Sequence, residues 1–214
     1  MSLLMRAPEE VASWEWDLKR VLPSGLQPAL ETGVRMAAVL TEHGLLAPSA
    51  LEWDWFVVGK GGIGVWTRLA LPSGTLDTSD LAQRVLQCRP AGFDTAEPAD
   101  ILVAGYGEWF DADGQSHQER GLVELTVTPD ELGPFAQLSV YHDIWSGYDF
   151  RGHPHPELHQ RNAPRLAAAL RALDDMLGVA CEPGELTYFG QAEGHGVAAP
   201  ELIDGIGPDL TDRL

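Results

Sequence analysis

The chain has 214 residues, with 32 acidic against 14 basic side chains and a formal net charge of −18. A field of that sign repels phosphate backbones and anionic headgroups, which argues against nucleic acid and membrane surfaces as partners, and no apolar run approaches the ~20 residues that span a bilayer. With 44% hydrophobic and 21% charged residues, the composition is that of a folded globular chain and not of a disordered one.

Pro8, Glu9 and Glu10 followed by Val11, Trp14, Leu18 and Val21 predict a helix over 8–21, with proline in its first turn and acids at the positive end of the dipole. Leu30, Val34, Ala37 and Ala38 predict a second helix over 27–42, stopped at Gly44. The period then falls to two. Leu51, Trp53, Trp55 and Val57 alternate with Glu52, Asp54, Phe56 and Val58, and Val65 to Leu71 returns after a glycine-rich turn, which predicts a hairpin. Asp77 to Asp80 predict the cap of a short helix reaching Cys88.

Residues 101–110, 121–128 and 135–145 predict a three-stranded meander, with turns at 111–114 and 129–134. Val123, Leu125 and Val127 share one face of it with Ala136, Leu138 and Val140. Glu124, Thr126, Ser139, Tyr141 and Asp143 fall on the other, which is polar enough to meet water or a ligand. An irregular stretch, 146–161, leads to a helix that the pattern begins at Asn162 as cap, with Pro164 in its first turn and Gly178 as its stop. A last strand is expected at 185–191, before a loosely packed tail over 195–214. Strands grouped in meanders predict an α+β fold, an antiparallel sheet (meander plus hairpin) packed against several helices. The whole chain reads as one domain, with a subdivision near residue 95 left open.

The opening residues carry neither the basic segment nor the apolar run of a signal peptide, so a cytoplasmic protein is expected, with Cys88 and Cys181 reduced and buried as small hydrophobes.

Gly59-Lys60-Gly61-Gly62-Ile63-Gly64 matches the dinucleotide fingerprint literally, but a strand follows where the phosphate needs a helix N-terminus, so it reads as a turn. Asp111-Ala112-Asp113-Gly114 has its glycine in the wrong place for a calcium loop and also reads as a turn. His153, His155 and His159 are the candidate metal ligands, with Asp143 or Asp149 beside them, although Pro154 and Pro156 stand against aiming the imidazoles at one point. No metal, cofactor or catalytic residue is assigned.

Residues 141–150 combine four aromatics, two carboxylates and a histidine at a strand end, the residue types that serve contact surfaces. Tyr141, Asp143, Trp145, Tyr148, Asp149 and Glu124 are therefore the expected binding residues. The competing account buries Trp145 and Phe150 and leaves Asp143 and Asp149 as turn formers. The expected function is a non-enzymatic acidic binding protein that docks a basic protein partner, as an inhibitor or immunity-type protein does. The alternative is a small-molecule or metal-dependent enzyme using the polar sheet face and residues 141–159. A third is a homo-oligomer joined through exposed tryptophans.

Overall fold

The computed structural model describes residues 4–71, 80–129 and 133–214. Eight strands make one antiparallel sheet: β1 (Ala12–Asp17), β2 (Ala47–Val57), β3 (Gly61–Ala70), β4 (Glu97–Phe110), β5 (Ser116–Arg120), β6 (Glu124–Thr128), β7 (Phe135–Val140) and β8 (Glu182–Pro183). Across the sheet they run β3-β2-β4-β6-β7-β1-β8, with β5 hairpinned onto β4. Three helices accompany it: α1 (Leu26–Glu42), α2 (Leu81–Gln87) and α3 (Pro156–Leu177). A ribbon of β9 (Ala192–Glu193) and β10 (Gly196–Val197) stands apart, and single 3-10 turns cover Asp143–Trp145 and Thr211–Arg213. This is the α+β arrangement that the sequence predicts.

Period-two alternation sorts the two faces. Leu51, Val103, Leu125, Leu138 and Trp14 pair in a row across the sheet, and Trp53, Ile101, Val127, Ala136 and Trp16 make the next such row. All ten are buried. Helix α1 lies over them through Leu30, Gly33, Met36, Ala37 and Leu40, residues three or four apart. It comes so close that a Cβ on Gly33 would stand 3.2 Å from Val127. The row facing the other way reads Arg68, Glu52, Leu102, Thr126, Gln137, Glu15, Glu182, and each of these seven is partly or fully exposed. The predicted hairpin joins the meander at β4, so strands from both sides of residue 95 lie side by side.

Several elements differ from expectation. Residues 8–21 are not a helix. Trp14 and Trp16 are fully buried while Ser13 and Glu15 face away, so period two wins, and β1 slots between β7 and β8. The apolar residues at helical spacing there coincide by accident. Strand β5 was not anticipated; its polar residues pair with β4 at an exposed corner. The third meander strand ends at Val140, not 145. Residues 185–191 form no strand, and the ordered pairs nearby are only two residues long.

Helix α3 begins six residues before Asn162, because Pro156 occupies the first position with its φ already helical and Glu157 follows in the first turn. Pro164 is carried inside it. Asn162, fully buried, is a clamp and not a cap: its Oδ1 accepts the Phe110 N–H at 2.9 Å, and its Nδ2 donates to the Phe110 and Leu158 carbonyls. Gly178 stops the helix at φ 69°, as expected. Helix α2 covers Leu81–Gln87, while residues 77–79 of the predicted cap and 130–132 of the predicted turn at 129–134 lie outside the described residues. Among the described residues, no helix is long and apolar enough to cross a membrane.

Candidate functional site

After β7 the chain leaves the sheet, and this decides the fate of the predicted binding segment. Tyr141 stays on the open face, half-buried, with the Arg6 guanidinium 4.4 Å from its ring centre. Glu124 is beside it and pairs with Arg6 at 2.7 Å. His142 turns inward and is buried, as the alternation predicts, and burial pushes its imidazole down to about 4. Asp143 is not on the polar face. It opens the 3-10 turn, fully buried, with Oδ1 accepting the Met5 N–H at 3.2 Å and Oδ2 without a partner. Burial pushes its carboxyl up to about 7. Trp145 and Phe150 are buried in the core. Asp149 shapes the next turn, its Oδ1 taking the N–H groups of Arg151 and His153.

The histidines go separate ways. His153 is exposed, with Nδ1 3.4 Å from Asp149. The His155 N–H donates to the Gly147 carbonyl, and burial lowers the pKa of its ring, which lies 3.0 Å from the Ser146 carbonyl. They are not gathered with His159 into a cluster of the size that one ion needs; among the described residues, the cluster of that size is Asp174, Cys181 and His195.

Two hollows flank this segment. One, of about 450 Å³, lies between Tyr148–Phe150 and the later loop around Thr187–Gln191, closed by Pro208 and Leu210. The tail that frames it is fastened by Gly207 N–H to the Gly152 carbonyl and Leu210 N–H to the Phe150 carbonyl. The other, of about 250 Å³, opens on the polar sheet face among Arg6, Glu52, Leu102, Arg120 and Glu124. Its charges answer one another: Glu52 meets Arg68 at 2.8 Å and Arg120 at 3.2 Å.

The polar face is thus divided. Toward β2 and β4, arginines neutralise Glu52 and Glu124. Toward β1 and β8 stand Glu10, Glu15, Glu182 and Glu185, and among the described residues none of these four is in an ion pair. Glu10 spans Gln137 and Ser139, accepting from each at 3.0 and 2.7 Å. Glu15, on the neighbouring strand, has its carboxyl raised first by burial and then by Glu10, Glu185 and Glu182. Sequence reasoning missed Glu10, Glu15, Glu182 and Glu185, because it put the first two in a helix and gave the last two no common surface. The signal available was alternation around Trp14 and Trp16.

The tryptophans do not supply a broad exposed surface. Trp14, Trp16, Trp53, Trp55 and Trp145 are fully buried, and Trp66 alone is largely exposed, at 71%. Both cysteines are free and only half-buried, not core residues. No protein-family model, curated protein or solved structure matches the chain.

Proposed function

We propose that this is a cytoplasmic, non-enzymatic binding protein that docks a basic protein partner on the β1–β8 half of its open sheet face, in the manner of an inhibitor or immunity-type protein. One observation carries the reading: four carboxylates share that surface, Glu15 among them is raised first by burial and further by the other three, and among the described residues none of the four is in an ion pair. A partner's lysines or arginines would relieve that repulsion on docking, and the overall charge would speed the encounter. The expected contact surface therefore moves from residues 141–150 to Glu10, Glu15, Glu182 and Glu185. Tyr141 and Glu124 lie at its border, and Asp143 and Trp145 support it from within.

The test separates this patch from mere negative charge. Binding of an oligoarginine peptide is measured for Glu15→Gln/Glu182→Gln and for a control of equal charge, Asp94→Asn/Asp204→Asn, on loops elsewhere. The first should weaken binding about tenfold, and the control less than about twofold. Equal losses in both would leave only diffuse attraction and sink the proposal.

A second reading rests on the 450 Å³ hollow, whose size suits a small molecule and whose walls set Tyr148, Phe150 and Phe189 around Asp149. Aromatic rings beside a carboxylate favour an organic amine. If no aromatic amine shifts the melting temperature, this reading is removed.

A further inference from the structure

Helix α3 ends at Leu177, and the chain then folds back along the edge of the sheet, making little regular structure until β9 and β10. Three side chains meet in this fold-back: Asp174 from the last turn of α3, Cys181 just before β8, and His195 from the turn between β9 and β10. Their donor atoms all lie within 4.8 Å of one another. His195 Nε2 is 2.8 Å from Asp174 Oδ2, and Cys181 Sγ is 3.8 Å from the same oxygen.

We propose that Asp174 Oδ2, Cys181 Sγ and His195 Nε2 form a binding site for a zinc-class divalent cation, with water in the fourth position. The donor set, one thiolate, one imidazole and one carboxylate, suits borderline-soft ions and disfavours calcium or magnesium, which take oxygen ligands. The spacing fits as well. Tetrahedral zinc bonds of about 2.1 Å to nitrogen and oxygen and about 2.3 Å to sulfur require ligand separations of roughly 3.4 Å and 3.6 Å. The nitrogen–oxygen pair must open by roughly half an ångström and the sulfur–oxygen pair must close by a few tenths, which side-chain rotation supplies.

The supports around the three donors are already in place. Asp174 Oδ1 is held by the Trp16 indole N–H at 2.8 Å and the Cys181 backbone N–H at 2.9 Å, so Oδ2 is left to face the other two donors. Trp14 donates its indole N–H to the Gly194 carbonyl at 2.7 Å and so fixes the turn that carries His195. Two neighbouring tryptophans of β1 thus orient both arms, the outer hydrogen bonding that aims metal ligands. The His195 side chain is 30% exposed, which leaves a path for the ion. On binding, the Sγ–H proton leaves to solvent and the proton that His195 Nε2 shares with Asp174 Oδ2 is given up, so that the neutral imidazole carries its proton on Nδ1 and places the Nε2 lone pair on the metal.

A plain hydrogen-bonded staple, in which Asp174 merely ties three segments together, is the rival account. Untagged, reduced full-length protein titrated with Co²⁺ distinguishes the two. The proposal expects one equivalent bound with a thiolate-to-cobalt charge-transfer band, displaced by Zn²⁺, and a melting temperature raised by Zn²⁺. Cys181→Ser should abolish the band, and His195→Ala should weaken binding at least tenfold. Cys88→Ser should leave both readouts intact, since the Cys88 thiol donates to the Arg84 carbonyl of its own helix and is not part of the Asp174, Cys181 and His195 cluster. Folding of each variant is checked by near-ultraviolet circular dichroism, which its buried tryptophans dominate. A folded wild type with no charge-transfer band, or a band that survives Cys181→Ser, overturns the proposal.

Discussion

His142 and Asp143 are consecutive, both buried, and burial drives their protonation in opposite senses. The folded carboxyl keeps its proton up to about pH 7, whereas an unfolded aspartate loses it near its ordinary 3.8, so Asp143 withdraws stability as pH rises between those values. The unfolded imidazole takes a proton below its ordinary 6.5, but the folded one refuses until about 4, so His142 withdraws stability as pH falls through that window. The two slopes oppose and nearly cancel. Removing either group should expose the other. Between about pH 5 and 6.5, above the isoelectric region, Asp143→Asn should gain stability with rising pH by about 2 kcal/mol, and His142→Gln should lose a similar amount. Urea unfolding at several pH values reads this directly, and parallel slopes in the wild type and both variants would show that neither group titrates as its burial implies. The inward turn of His142 was legible from alternation in β7. The burial of Asp143 was not, because alternation holds only while the chain remains in the sheet, and the chain leaves it at Tyr141.

On β4, Gly107 shows how tightly the strands are set against the loops that join them. A Cβ there would lie 2.3 Å from the Leu45 carbonyl oxygen and 2.7 Å from the Leu122 side chain. The first of these is backbone in the α1–β2 connection, bounded on one side by the Glu108 N–H to Gly44 carbonyl bond, so it cannot yield cheaply. Gly107→Ala should therefore cost about 2–4 kcal/mol, while Gly62→Ala on β3, whose nearest neighbour is 4.0 Å away, should change stability by less than about 0.5 kcal/mol. Chemical denaturation of the two variants checks the contrast; equal costs would mean that β4 does not approach the connection so closely. Elements were legible where one period dominated: α1, the β2–β3 hairpin and the strands of the meander. They were misread where two periods overlapped, as around β1, where Val11, Trp14 and Leu18 mimic a helical stripe. They were missed where the strand carries no alternation of apolar and polar residues, as in polar β5, whose His117 stacks on Trp109 of β4. The start of α3 was misplaced because Asn162 has the chemistry of a cap, and only its contact with Phe110 shows that it faces inward.

The net charge is plain in the composition, but its distribution is not. Glu10 and Glu15 come from the first strand region, and Glu182 and Glu185 from beyond α3. Only the placement of β1 beside β8 gathers them. The cluster of Asp174, Cys181 and His195 was illegible for the same reason, since its members fit no ligand spacing and meet only through the fold-back after α3. Gathering like charge costs stability, and an excess of −18 adds self-repulsion over the entire surface. A surface kept at that cost for binding should show salt effects of opposite sign on folding and on association. Raising sodium chloride from about 0.1 M to about 1 M shortens the screening length from about 10 Å to about 3 Å. The melting temperature should then rise, because repulsion within the folded protein is relieved, while affinity for a basic partner falls steeply. Glu15→Gln ties the two effects to one residue. Its raised carboxyl means that ionisation opposes folding, so the variant should be more stable than the wild type at neutral pH and should bind more weakly. Calorimetry gives the first quantity and titration with oligoarginine the second. If Glu15→Gln lost stability and affinity together, the glutamate would be holding the fold and not waiting for a cation, and the acidic half of the sheet would need another explanation.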